Sequence, residues 1–495
     1  METRSARRRR LSNSHHQTGV DYISHLPDAV LHHILTLLPI KTVAQSATLS
    51  SRWRSLWFTL PDLDFSNSIF NSNSNSNSNS NPADIIAGIL NARDHKHSNV
   101  RLLRFSATLS FSRLNALFRI AVRHKIQHLH IQVSTNDYFN FPRGIIASDS
   151  LRVFSLRSIY PGFRLPPSSI MSSGFRLLSS LSLALMILDR PSLVDLFTDS
   201  SFPLLKKLNL ESCSGLMNLR VQCPVLQDFS LEGCFQLQGL DVLGGKLERV
   251  RICSCFDAHG SSWVKIVAPN LKTLVWIYNA VTDEVNLGDL KSLNQASLGL
   301  LCQHFSNTKL HSVSALLSAI SPAHSLTFEP SFLDVLSSNN YFACYLPAFN
   351  NVRCLELKTV SKKHNCSVVA NIFRSCPVLH TLTIKIVDAP SNGRKDWRKE
   401  KWEKIVSEEE HFWETQIEPL ESFRLHLKIV RMEGFMECFN EVSLTHFLLK
   451  YGTSLQELSI FTNKTNHRDS LKRRAIKSLI MGFSRASPHV KLRYC

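Results

Sequence analysis

Residues Cys223–Cys234 read CPVLQDFSLEGC, and the spacing inside them decides the architecture. Leu226, Phe229 and Leu231 form an apolar-x-x-apolar-x-apolar frame, whose last two members alternate as in a short strand with one buried face. The frame recurs upstream at Ile126, Leu129, Ile131; Leu151, Phe154, Leu156; Leu178, Leu181, Leu183; and Leu205, Leu208, Leu210. Downstream it appears at Leu247, Val250, Ile252 and at Leu271, Leu274, Trp276. Successive first positions lie about 25, 27, 27, 21, 21 and 24 residues apart. A strand this short cannot bury its apolar face alone, so neighbouring units must stack into a continuous core with a parallel sheet along one side.

That period falls inside the roughly 20–29 residues of leucine-rich repeats, and predicts a curved α/β solenoid over residues 82–390, with helices and loops behind the sheet. The frame blurs between Gln295 and Phe328, then returns at Val352, Leu355, Leu357 and at Leu379, Leu382, Ile384. Near the C-terminus, Leu420, Phe423, Leu425 and Leu455, Leu458, Ile460 are expected to keep it. Three residues past the last apolar position stand Cys213, Cys234, Cys255 and Asn279. A side chain turning inward there can satisfy loop backbone groups that the strand leaves unpaired. Zinc is a poorer reading of Cys213, Cys234, Cys253 and Cys255, because spacings near 21 and a single C-x-C lack paired C-x-x-C geometry. Cys223 and Cys376 each open a Cys-Pro-Val-Leu segment and are read as structural.

Ahead of the repeats lies a stretch of another kind, Asp21–Trp57, DYISHLPDAVLHHILTLLPIKTVAQSATLSSRWRSLW. Val30, Ile34, Leu37 and Leu38 recur at the spacing of one helical face. Pro27 suits the first turn of that helix, and Asp28 sets a carboxylate at the positive end of its dipole. Pro39 predicts a stop near Leu38, with a second helix over about Lys41 to Leu49. Ser50 or Ser51 can cap a third helix, which carries Trp53 and Trp57 on one face. Three short helices cannot bury all of this apolar surface among themselves, so part of it is expected to meet another body.

At these residues the chain resembles the F-box of plant F-box proteins: D-x-I-S-x-L-P-D, then L-x-x-I-L-x-x-L-P, then L-S-x-R-W-x-x-L-W. Asp21, Ile23, Ser24, Leu26, Pro27, Asp28, Leu31, Ile34, Leu35, Leu38, Pro39, Leu49, Ser50, Arg52, Trp53, Leu56 and Trp57 match. The resemblance implies docking onto the Skp-type adaptor of a cullin-RING ubiquitin ligase. Leu26, Pro27, Ile34, Leu35, Leu38, Pro39, Leu49, Trp53 and Trp57 are the set expected to serve F-box core and adaptor contact between them. CPVLQDFSLEGC and CPVLHTLTIKI are similar to the divergent repeats that follow the F-box in plant proteins of this family. Phe412 and Trp413, LESFRLHLKI from Leu420, FLLKYGTSLQELSI from Phe447 and FSRASP from Phe483 resemble its C-terminal FBD region. The implied division is a basic tail over 1–18, an F-box over 19–62, repeats over 82–390 and an FBD-like region over 412–495.

The remaining segments are less structured in pattern. Ser66 to Asn81, SNSIFNSNSNSNSNSN, has too little apolar surface to offset its ordering entropy and reads as a linker or loop over 66–81. Residues 391–411 read as a charge-dense insertion, usually a solvated loop or helix. Of the formal net charge of +18, part sits on Arg4 and Arg7 to Arg10, a solvated tail or a nuclear import signal. No apolar stretch of membrane-spanning length occurs, and no secretory signal follows the arginines. Twelve cysteines scattered through 495 residues are expected as reduced thiols in nucleus or cytoplasm.

Catalytic constellations are missing from the pattern: no phosphate loop, no H-E-x-x-H, no G-x-S-x-G and no EF-hand loop. His124, His128 and His130 fall in or beside the repeat frame and do not form a ligand set. Function is therefore expected in surfaces, without catalysis and with no cofactor. The leading expectation is a non-catalytic substrate receptor of a Skp-cullin-F-box (SCF) ubiquitin ligase, its repeats holding an unknown target protein. A basic nucleic-acid-associated scaffold is one alternative. Another is a small-ligand sensor, since the chain resembles a family in which some plant receptors hold a hormone and an inositol phosphate.

Overall fold

The computed structural model describes residues 23, 25–66, 82–94, 99–134, 139–140, 143–159, 163–164, 174–187, 196–258, 261–302, 306–338, 346–360, 366–387, 411–462 and 470–495. The basic tail, Asp21 and Ser24 of the F-box pattern, most of the Ser/Asn stretch and nearly all of the charged insertion lie outside them. The chain divides into two compact units, Met1–Val133 and Ser134–Cys495.

The first unit opens with three helices, α1 (Asp28–Thr36), α2 (Ile40–Ser46) and α3 (Ser51–Thr59). Helix α1 stops before Pro39, and Pro39 itself is the N-cap of α2. Helix α2 is shorter than its sequence suggests, because the chain must straighten to let Ser50 cap α3 in an extended conformation (φ −162°, ψ 169°). The Ser50 hydroxyl accepts from the Trp53 amide at 3.3 Å. A short strand β1 (Asp62–Asp64) follows, then α4 (Pro82–Asp94), β2 (Leu102–Thr108), α5 (Phe111–Arg123) and β3 (His128–Ser134). Strand β1 pairs with β2 in parallel, Leu63 opposite Leu103, so the residues on either side of the Ser/Asn stretch are sheet neighbours.

The second unit is built on a parallel sheet whose strands follow one another in chain order from Val153–Ser158 to Lys491–Tyr494. The register aligns the frame: Phe154, Leu181, Leu208, Phe229, Val250 and Leu274 form one column, each opposite the next. Every residue of the frame from Leu151 to Trp276 is buried. The blurred region holds two further units, Leu293, Ala296, Leu298 and Ala323, Leu326, Phe328, all buried and in register with their neighbours. Alanine at one frame position in each weakened the apolar signal.

Two differences from the expected repeat pattern have simple causes. Behind the main sheet, residues 197–286 form a second parallel sheet of five short strands in place of helices. First frame positions there are mostly 21–24 residues apart, which leaves room for a short strand only. From Leu293 to Leu379 the spacing grows to 27–30, and helices Asn307–Ala319, Pro330–Ser337 and Cys366–Ser375 take that side. The second difference concerns Leu420, Phe423 and Leu425. Glu421–His426 is a helix, Leu420, Phe423 and Leu427 are buried at helical spacing, and Leu425 is 52% exposed. The strand frame is instead Leu427, Val430, Met432, on the strand Ile429–Phe435. With Glu457–Thr462, which keeps Leu455, Leu458 and Ile460 buried, the C-terminal residues extend the same sheet.

The column of small polar side chains closes the strand ends. Asn279 Oδ1 accepts from the amides of Cys255 (2.9 Å) and Phe256 (3.3 Å), and its Nδ2 donates to the Ile252 (2.9 Å) and Ile277 (3.2 Å) carbonyls. The thiols of Cys213, Cys234 and Cys255 donate to the carbonyls of Leu183, Leu210 and Leu231 in the preceding repeat. The residue before each of these four is in the left-handed region: Ser212, Gly233, Ser254 and Tyr278. That turn swings the side chain inward, and Gly233 of CPVLQDFSLEGC adopts it without steric cost. Burial pushes the Cys223 and Cys376 thiols up to about 12, so both stay protonated inside the core.

Candidate functional site

Helices α1 to α3 bury Leu31, Leu35, Val43, Leu56, Trp57 and Leu60, and this small core fixes everything else. Of the nine residues expected to serve core and adaptor contact, Leu35 (1% exposed) and Trp57 (7% exposed) are taken up inside the chain and have little surface left for a partner. Leu26 and Trp53 are half-buried. Pro27, Ile34, Leu38, Pro39 and Leu49 are exposed, Leu49 at 70%. Ile23, Val30 and Leu37 join them, Leu37 at 73%.

The helical face read from Val30, Ile34, Leu37 and Leu38 is therefore the outward one, while Leu31 and Leu35 supply the inward one. A helix that is apolar on both faces needs a second apolar surface against its outer side. Sequence periodicity alone could not separate the two, because both stripes share the three and four residue spacing.

Electrostatics pin the entry to this surface. Arg52 on α3 reaches across to Asp28 at the start of α1, Nε at 2.9 Å and Nη2 at 2.7 Å from Oδ1. The same guanidinium donates to the Leu26 carbonyl. The pair is largely exposed and contributes about 1 kcal/mol or less by itself, yet it fixes where Leu26 and Pro27 lead into the helix. His32 Nε2 lies 3.0 Å from Thr59 Oγ1 and ties the middle of α1 to the end of α3. Arg52 stands in the matched pattern, but nothing in the sequence assigned it this role.

The open face of the sheet in the second unit has a different chemistry. Outward positions carry charges matched across strands: Arg249 and Lys207 with Asp228, Arg251 with Glu232, Arg157 with Glu211. Farther along, Lys358 meets Glu329 at 2.7 Å and Lys385 meets Glu356 at 2.9 Å. Between these ladders lie uncharged positions on adjacent strands, among them Thr273, Val275, Gln295, Ser297, Ser325 and Thr327. These basic residues are thus neutralised in place. An open groove of about 870 Å³ at the end of the strand Gln295–Leu301 is lined by Leu301, Cys302, Ser331, Asp334, Cys366 and Phe412, among others. Its described lining holds hydroxyls, thiols and one carboxylate, and no Lys or Arg of the kind an inositol phosphate would require.

Comparison with known proteins gives two family matches. Residues 23–64 match the F-box domain family. Residues 92–254 and 221–486 match the family described as At1g61320/AtMIF1, LRR domain, which runs through the C-terminal repeats. Among curated relatives, an Arabidopsis thaliana protein named as a putative F-box/FBD/LRR-repeat protein is 44% identical over 505 aligned residues, covering 100% of both chains. An Arabidopsis thaliana F-box/LRR-repeat protein is 27% identical over 75% of this chain and 74% of its own. An Arabidopsis thaliana F-box protein is 25% identical over 67% of this chain and 96% of its own.

Proposed function

This chain belongs to the F-box/FBD/LRR-repeat family, whose members generally act as non-catalytic substrate receptors in SCF ubiquitin ligases, and from that premise we propose the same role for it. The outward apolar face of α1, continued by Leu49, receives a Skp-type adaptor, through which the cullin and RING subunits are recruited. The repeats hold a target protein, and the ligase's other subunits perform the transfer. The contribution of such a receptor is proximity: tethering raises the target's effective concentration beside the charged ubiquitin carrier. We place this activity in the nucleus or cytoplasm, where such ligases work.

The observation that carries the reading is the exposure of Val30 and Ile34 on α1, and of Leu37, Leu38 and Leu49 beside the helix ends, around a core already formed by Leu31, Leu35, Val43 and Leu56. Removal of such a surface from water is worth roughly 25 cal/mol per Å² of apolar area. The pairing of Arg249, Lys358 and Lys385 with carboxylates favours a protein target over nucleic acid on those strands, since a phosphate backbone is drawn to unmatched Lys and Arg. The test is co-purification with the adaptor from a reconstituted mixture. A Leu26→Ala, Pro27→Ala variant is expected to lose about 2 kcal/mol or more of adaptor binding, and undiminished affinity would contradict the assignment.

A further inference from the structure

We propose that Arg93 is a positioning residue that fastens the adaptor-facing helices to the first repeat strands as one rigid mount, independent of the Ser/Asn stretch between them. The inference rests on the receptor reading above. Among the described residues Arg93 is the largest fully buried charged side chain, and it comes from the last turn of α4. Its Nη1 donates to the Leu60 carbonyl at 2.6 Å and its Nη2 to the Trp57 carbonyl at 2.5 Å. Both carbonyls belong to the C-terminal end of α3, where helix acceptors have no intrahelical donor. The guanidinium carbon also lies 5.0 Å over the Trp57 ring.

Burying a cation is costly unless it is paired, and no carboxylate pairs with this one among the described residues; its Nε has no partner there either. Filling the space would need only an apolar side chain. A planar fork converging on two carbonyls adds something an apolar side chain lacks: it fixes the angle of α3 as well as its distance. Burial lowers the Arg93 pKa to about 10, which leaves it charged at neutral pH.

The other end of the clamp is held by strand pairing and by surface contacts. Helix α4 is tied to α5 by Arg113 with Asp84 (3.4 Å) and by Arg123 Nη2 donating to Asn91 (2.6 Å). Strand β1, continuous with α3, is paired to β2 and reinforced by Arg101 Nε to Asp62 (2.9 Å) and Arg104 to Asp64 (3.0 Å). Two attachments at different points of α3 and β1 suppress rotation that either alone would allow. In a scaffold whose contribution is proximity, that rotation would spread the target over a larger volume.

The test uses the full chain bound to adaptor, with fluorophores at exposed Gln45 on α2 and exposed Ser112 on α5. Twelve cysteines make thiol labelling unselective, so the dyes are carried by non-natural amino acids. Single-molecule energy transfer then gives the width of the distance distribution. Wild type and a variant with residues 67–81 cut to a short Gly/Ser connector should give the same narrow distribution. Arg93→Met should roughly double its width, a local opening of the mount, while the adaptor Kd stays within about twofold. Arg93→Lys, which keeps the charge and loses the fork, should fall between. An Arg93→Met distribution as narrow as wild type, or broadening on shortening 67–81, overturns the proposal. If Arg93→Met does not fold, an Arg93→Lys width equal to wild type overturns it. Failure of wild type to bind adaptor would instead defeat the receptor reading, and the same distances measured on the free chain still decide the role of Arg93.

Discussion

In the repeats, Leu208, Phe229 and Val250 lie side by side in register and are sealed from solvent, while their neighbours Asn209, Ser230 and Arg251 face out. In α1 the inward Leu31 and Leu35 are sealed too, yet the outward face carries Val30, Ile34 and Leu37. Both regions are held by the same apolar burial. They differ in what these two faces leave over: the outward positions of the sheet carry polar groups, many of them paired across strands, and the outward face of α1 carries apolar surface that no described residue covers. Stability and partner binding should therefore respond to substitution in opposite ways in the two regions.

The largest separation is expected at Phe229. Phe229→Ala should cost about 3–5 kcal/mol in chemical denaturation of the full chain, because the cavity is walled by strands that cannot collapse into it. Adaptor affinity should stay unchanged in the fraction that remains folded. Equal losses in both measurements would mean that the two regions are not energetically distinct.

Next comes Asn279, where Asn279→Ala removes four hydrogen bonds and takes from the buried Cys255 and Phe256 amides the acceptor they share. The expected cost is about 3 kcal/mol, several such groups at roughly 1–3 kcal/mol each with partial relaxation. Asn279→Cys should recover part of it, since Cys213, Cys234 and Cys255 serve equivalent positions with a weaker donor. A cysteine variant no better than alanine would show that the column is a matter of size and not of hydrogen bonding.

Binding should fall without folding at Leu37. Leu37→Asp is expected to weaken adaptor binding by about 2 kcal/mol, with denaturation unchanged within about 0.5 kcal/mol. The paired control is Leu35→Ala, which should destabilise the helices first and affect the adaptor only through that loss. A Leu37→Asp chain that binds as tightly as wild type would move the docking surface off α1.

These contrasts also explain how far the sequence could be read. A frame of Leu, Phe, Ile and Val at fixed spacing is a strong signal because each member is wholly buried, so the main-sheet strands from Val153–Ser158 to Thr273–Ala280 were visible in the sequence, while the short second-sheet strands between them, expected as helices and loops, were not. The signal faded at Ala296 and Ala323, which fill frame positions with little side chain, and misled at Leu425, where a helix and the following strand offer overlapping apolar spacings. At the docking surface the motif named the helices but not their sides, since Leu35 and Leu38 are equally apolar and only packing tells them apart. Arg93 left no trace at all. A single arginine at a helix end looks like any solvated charge until a chain segment more than thirty residues earlier in sequence is brought beneath it.

The smallest effect is the sharpest test of the polar half of the comparison. Arg251 lies exposed on the sheet face, 3.6 Å from Glu232, and Glu232 is itself exposed. An ion pair in that setting trades side-chain entropy and hydration for a screened attraction, so Arg251→Met should change stability by about 0.5 kcal/mol or less. Its consequence should appear instead in recognition. Arg251 is opposite Val275 at the start of the uncharged strip, and the variant uncovers the Glu232 carboxylate on the strand beyond it, so a target seated across these strands would now meet an unmatched negative charge. The ionic-strength dependence of target capture should then differ from that of the wild-type interaction, because an unpaired charge at the seat adds a field for salt to screen. A wild-type interaction already steeply salt-dependent would mean that the target reads the charged ladders, and the neutral strip between them would be mere spacing.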